Sequence, residues 1–379
     1  MNVSDDRKVH STDIVNGLAR KDIFDSKGVL LVKKDARISE AHYARMREEG
    51  LVIEENTKSH EAKSFDINYV SSKSLHGRLE KVSNKFIVLQ EKIVNDVSIA
   101  LKQDFDDIVT ELIELCDEDI NQVLGELFLY DLKKYFYSKP IYIAASLIEL
   151  IKRFNVYKKQ KVIKDDTKVQ LVQAALTYNI GLIQCNKELY DTKKKLTVTE
   201  KRELRENYPT QSITTIIQMG IADPVTLDAI KNHNIAAKTP SFEALLLRTP
   251  FIYAGIALPE NKAILENNLY NPCREFAKLF SESKLDPVLG GLFLKINGIA
   301  PIGSILNFET REKGVVIRGP SSSNVMSSLI RIITNKTGVQ LRKPGEKFYL
   351  HQTKMLQKGL SDHHQFAWSK FSPFVTWER

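Results

Sequence analysis

Cysteine is scarce in this chain: Cys116, Cys185 and Cys273 are the only three among 379 residues, and they lie far apart. An odd, scattered set forms neither a disulfide framework nor a zinc pattern. No apolar run approaches the roughly 18 residues needed to span a bilayer. Met1 to Arg20 is polar and has no apolar core, so no secretory signal is expected there. These absences make the cytoplasm the expected setting. A glycine-rich phosphate loop and a Gly-x-Ser-x-Gly elbow are also missing, which removes two common catalytic signatures. There is no internal repeat and no long low-complexity tract.

What remains is the composition of a globular protein, with 42% hydrophobic and 27% charged residues. The length corresponds to two or three domains at about 150 residues each. Lysine and arginine number 55 against 47 aspartates and glutamates, a net charge of +8. The excess favours anionic partners in general. No nucleic-acid motif accompanies it, so nucleic-acid binding is not expected.

Residues 1–56 read as a small α/β module. Two apolar stretches in Ile23 to Val32 flank Asp25-Ser26-Lys27-Gly28, which is hairpin chemistry. Ser39 reads as an N-cap for a short helix carrying His42, Tyr43 and Met46, stopped by Gly50. Residues 57–74 are polar and read as a linker. From Leu75 the apolar residues Leu79, Val82, Phe86, Leu89, Ile93, Val97 and Leu101 recur at helical spacing. That stripe predicts one long helix packed on its own domain, with a homodimer through it as the alternative. Helical patterns continue to residue 297, with a break expected at Tyr208-Pro209. Residues 298–341 read as short strands: Ser304 to Phe308, Gly314 to Ile317 and Ser328 to Thr334. Residues 342–379 form a polar tail dotted with aromatics, expected to dock on the parent domain.

The run Ala174-Ala-Leu-Thr-Tyr-Asn-Ile-Gly181 resembles the Ala-Ala-Leu-Leu-His-Asp-Ile-Gly-Lys signature of HD-GYP domains. The likeness continues in order through Leu196-Thr-Val-Thr-Glu200, Tyr208-Pro209 with Ser212, Ile230-Lys-Asn-His-Asn234 and Ile299 to Leu306. It covers most of residues 20 to 340. The resemblance implies a mainly α fold: an HD-superfamily helical bundle with the small N-terminal module before it and a short C-terminal β-hairpin region after it. It also implies a link to cyclic di-GMP signalling, since HD-GYP enzymes hydrolyse that dinucleotide at a cluster of metal ions held by imidazoles and carboxylates.

The departures fall on that chemistry. Tyr178 and Asn179 stand where the family has its His-Asp pair. Lys139 or Ser138 stands at the first family His, and Tyr208 at the His of His-Pro. Asn232 and Asn234 flank the one retained imidazole, His233, and the later metal-binding Asp falls near Phe251. Leu182 replaces the motif lysine, and the Gly-Tyr-Pro loop is absent. A lone imidazole holds no metal cluster. No catalytic residue, metal or cofactor is therefore expected, and the chain reads as a non-catalytic signalling or interaction protein with a protein partner. The alternative is a metal-independent sensor that binds cyclic di-GMP or another nucleotide in the vestigial pocket, with Tyr178 and Tyr208 stacking on a base and Lys139 facing a phosphate. An active phosphodiesterase ranks below both. Arg202 and Arg205 are candidate anion contacts, although Glu200, Glu203 and Glu206 beside them offer ordinary helix ion pairs.

Overall fold

The computed structural model describes residues 9–10, 14–15, 18–19, 22–24, 30–34, 36, 42, 53–54, 74–128, 135–185, 197–234, 237–258, 272–282, 285–308, 310–320, 324–339, 341 and 345–352. The chain divides into two units, Met1–Asp66 and Ile67–Arg379. In the first, β1 (Val9–His10) pairs in parallel with β6 (Ile53–Glu54). Two antiparallel pairs lie between them in sequence: β2 (Ile14–Val15) with β3 (Leu18–Ala19), and β4 (Ile23–Phe24) with β5 (Leu30–Val32). The β4–β5 pair is the hairpin that the turn residues predict. Of the helix expected after Ser39, only His42 is among the described residues, and it is helical.

The second unit is mainly helical. Ser74 caps α1 (Leu75–Asn95) by accepting the Gly77 N–H at 3.1 Å. The apolar stripe on α1 is buried within this unit, from Leu75 through Ile93. A homodimer through this helix would therefore use its opposite face, where Val88 is exposed. The single long helix expected from the stripe is broken, because Asp96 is extended and the chain re-enters helix only at Leu101. Asn95, Asp96 and Ser98 supply the reason, since short polar side chains compete for backbone hydrogen bonds.

Helix α2 (Leu101–Phe128) is kinked at Asp119, whose φ of −153° and ψ of 88° leave the helical region. Asp119 Oδ1 then accepts the N–H groups of Asn121 and Gln122, at 3.1 and 3.2 Å, and so starts the second half afresh. The bundle continues with α3 (Tyr135–Lys158), α4 (Asp165–Thr177), α5 (Ile180–Cys185), α6 (Val198–Gln218), α7 (Pro224–Asn232), α8 (Phe242–Ala257), α9 (Pro272–Ser281) and α10 (Pro287–Asn297). The sequence predicts a break at Tyr208-Pro209, yet α6 runs through Pro209. Packing of Tyr208 and Ser212 against α5 outweighs the missing proline N–H. Among the described residues no helix is long and apolar enough to cross a membrane.

After α10 the chain forms one antiparallel sheet in the order β10–β9–β8–β7, from β7 (Ile305–Asn307), β8 (Lys313–Arg318), β9 (Leu329–Ile332) and β10 (Lys347–Tyr349). Three of these strands match the expected stretches. The fourth, β10, lies inside residues 342–379, which read as tail. The tail aromatics from Phe366 onward lie outside the described residues.

Gln90 on α1 is fully buried, and neither its amide nitrogen nor its amide oxygen has a hydrogen-bond partner. Replacing Gln90 with methionine keeps the volume and removes two unmet polar atoms. Stability should rise by about 1–3 kcal/mol. Denaturant titration measures this, and an unchanged or lowered midpoint would show that the amide is satisfied in solution.

Candidate functional site

The residues singled out by the sequence resemblance come from four elements. Tyr178 follows α4, Tyr208 lies on α6, His233 is the C-cap of α7, and Phe251 lies on α8. They meet in the core. His233 is fully buried, and both tyrosines are 5% exposed. The Phe251 ring stands edge-on to the imidazole at 4.5 Å between centroids. The Tyr178 ring is 5.4 Å from the imidazole and 5.2 Å from Phe251, both edge-to-face. Such packing is favourable for rings with a negative face and a positive edge.

Both imidazole nitrogens are occupied. Nδ1 lies 2.7 Å from the Ile230 carbonyl, and a carbonyl only accepts. Nδ1 therefore carries the proton. Nε2 is left as the acceptor for the Tyr208 hydroxyl, also at 2.7 Å. Burial pushes the His233 pKa down to about 4; the Ile230 hydrogen bond opposes that shift, and the nearby Arg248 adds to it. At neutral pH the imidazole is uncharged, with its lone pair engaged by a phenol.

Arg248 on α8 is the residue that sequence reasoning missed. It is 5% exposed and donates to the carbonyls of Asn232, His233 and Ala237 at 2.9, 3.3 and 3.4 Å. A buried cation thereby caps the negative end of α7. Its signal in the sequence is a single charge inside the apolar run Ala244 to Ile252.

Ser212 ties α6 to the chain around Tyr178. Its hydroxyl donates to the Tyr178 carbonyl at 2.8 Å and accepts the Gly181 N–H at 2.9 Å. A Cβ on Gly181 would lie 2.3 Å from the Tyr208 carbonyl oxygen, so only glycine permits this crossing.

The other expected site residues lie as follows. Asn179 is buried in the turn before α5. The Asn232 side chain bonds Asp228, one turn back on its own helix, at 2.7 Å. Asn234 is partly buried, and its carbonyl accepts the Ala237 N–H. Lys139 sits near the start of α3, partly buried. Arg202 and Arg205 lie on α6, with side chains outside the described residues. Elsewhere, burial, then Asp117 and Glu149, raise the Cys116 thiol far above its ordinary value, and burial raises that of Cys273. Neither is poised as a thiolate nucleophile.

The group at His233 does not fit a metal cluster. Its one imidazole is bonded at both nitrogens, three aromatic rings surround it, and the charge acting on it is the buried Arg248 guanidinium. No family model, curated protein or solved structure matches the chain.

Proposed function

We propose that this chain is a non-catalytic signalling or interaction protein on a degenerate HD-GYP scaffold, linked to cyclic di-GMP signalling and working through a protein partner. The observation that carries the reading is the closed aromatic–imidazole cluster at the positions where the resemblance puts the family's metal ligands. Hydrolysis of a phosphodiester at neutral pH needs an activated water, and metal ions are the usual means of lowering its pKa. A neutral, phenol-bonded imidazole beside a buried arginine offers no such site. The near-complete burial of Tyr178 and Tyr208 also favours an interaction role over a base-stacking sensor, since a stacking platform must present a ring face.

The test incubates purified protein with manganese and cyclic di-GMP and follows the linear dinucleotide by chromatography, with calorimetry for binding. The expected result is no product and no binding heat. Turnover that disappears in His233→Ala would overturn the reading. Binding that disappears in a Tyr178 variant would put the sensor reading in its place.

A further inference from the structure

A second feature lies on the surface, at the turn that joins α3 to α4. Val156, Tyr157 and Val162 are 70%, 54% and 41% exposed there, and every residue from 156 to 162 is exposed. Clustered apolar side chains in water mark a contact surface, whereas single ones do not. Lys158, Lys159, Lys161 and Lys164 stand among and beside them, all exposed. From Ile151 to Lys164 the chain carries six cations and no carboxylate. The flanking carboxylates are Glu149, which pairs with Arg153, and Asp165, which pairs with Lys161, followed by Asp166. On α8, Glu243 follows Phe242, whose ring lies 5.0 Å from that of Phe154. Among the described residues Lys159 and Lys164 form no ion pair, and the Lys158 ammonium lies 5.5 and 5.6 Å from the Phe154 and Tyr157 rings.

Two of these lysines stand where local structure prefers other residues. Lys159 ends α3 in the left-handed region, with a φ of 53°, a position that glycine fills without steric cost. Lys164 is the N-cap of α4, makes no side-chain cap hydrogen bond, and puts a positive charge at the positive end of the helix. The turn is nonetheless firmly held. The Lys159 and Gln160 N–H groups donate to the carbonyls of Val156 and Asn155 at 3.1 and 3.2 Å. The Asn155 side chain donates to the Ile163 carbonyl and accepts the Ile163 N–H, both at 3.0 Å. Local stability is thus forgone to present cations beside exposed apolar side chains on a fixed turn. A solvated charge run requires neither the apolar residues nor the disfavoured positions.

We propose that the α3–α4 turn docks on an anionic membrane surface. Val156, Tyr157 and Val162 enter the headgroup region, and the lysines meet lipid phosphates. Tyrosine suits that depth, with an apolar ring and a polar hydroxyl. Size favours a bilayer over a protein. The seven exposed residues 156–162 fall short of the about 20–30 that each side of a standard protein interface supplies, and a bilayer needs no shaped counterpart. The contact goes beyond the reading of the cluster at His233 and does not depend on it.

Sedimentation of the full chain with vesicles of mixed phosphatidylglycerol and phosphatidylcholine tests this, with pure phosphatidylcholine as the neutral arm. Binding to the anionic vesicles is expected, roughly tenfold weaker to the neutral ones, and falling as salt is raised. Lys159→Gly with Lys164→Ser should weaken it about 20-fold, since each basic residue near such a surface contributes about fivefold. The same double variant should raise the denaturation midpoint, an opposite sign that a structural role for the lysines does not produce. Tyr157→Ser should weaken binding about fivefold. Lys81→Gln with Lys336→Gln removes equal charge from exposed positions on α1 and after β9 and should leave binding unchanged. Four results would overturn the proposal: no binding to anionic vesicles, equal binding to neutral ones, equal weakening by the Lys81 and Lys336 pair, or binding of a polyglutamate peptide at the turn without vesicle binding. The last would put an acidic protein surface in the membrane's place.

Discussion

Tyr178→Ala is expected to destabilise the helical unit by about 3–5 kcal/mol, as truncation of a core aromatic does. The ring is 5% exposed and packs edge-on against both His233 and Phe251. Its removal leaves a hole among groups that cannot follow it, because His233 is fixed by Tyr208 and the Ile230 carbonyl. Tyr178→Phe keeps the ring and should cost no more than about 1.5 kcal/mol, the net worth of an ordinary hydrogen bond. Chemical denaturation of the two variants separates packing from polarity. An alanine variant with unchanged melting temperature would mean that the four side chains line an open cleft in solution. In that event the sensor reading moves ahead of the interaction reading.

The second large effect is on acid stability. An unfolded histidine takes up its proton near pH 6.5, whereas native His233 does so only near pH 4. The unfolded chain therefore binds more protons between these values, and stability falls as pH falls through that window. The contribution of His233 is fully present above pH 6.5. It is lost progressively on acidification and amounts to about 3 kcal/mol by pH 4. The sign follows from burial of a neutral base and is opposite to that of a histidine held by a carboxylate. Unfolding free energies of the native protein and of His233→Gln, measured from pH 7 to pH 4, should converge as the pH drops. Parallel profiles would show that the imidazole titrates normally in the native state and that the Tyr208 bond does not exclude the proton.

The apolar spacing of residues 75–93 and the turn residues at 25–28 were legible because each is a local pattern with a local cause. The caps at Ser74, Ser241 and Asp286, where a side-chain oxygen answers a helix N–H three residues on, have the same kind of local cause but emerged only from the structure. The break at residues 96–100 was not legible, since Val97 and Leu101 keep the helical spacing by position alone. At the candidate site the order of the resembling segments picked out Tyr178, Tyr208, His233 and Phe251 separately. The bond from Tyr208 to His233 is a property of how α6 and α7 pack, which no spacing states. Arg248 was hidden for a related reason: a charge in an apolar run becomes meaningful only when the carbonyls it caps are known. The outer pairing of the C-terminal sheet was further from reach. Arg331 and Lys347 are paired only by strand register, and the Lys347–Tyr349 strand is too short for a period-two signal.

The crossing at Gly181 has a mechanical consequence. Leucines and phenylalanines between two helices can rotate and re-seat when the helices shift by a fraction of an ångström. Backbone set against backbone has no such slack. Through Ser212, the Tyr178 carbonyl, the Gly181 amide and the chain of α6 are pinned at one point. That point is a stiff joint between α6 and the turn before α5. The separation between the two tyrosines that flank His233 is therefore set by main-chain geometry rather than by side-chain packing alone.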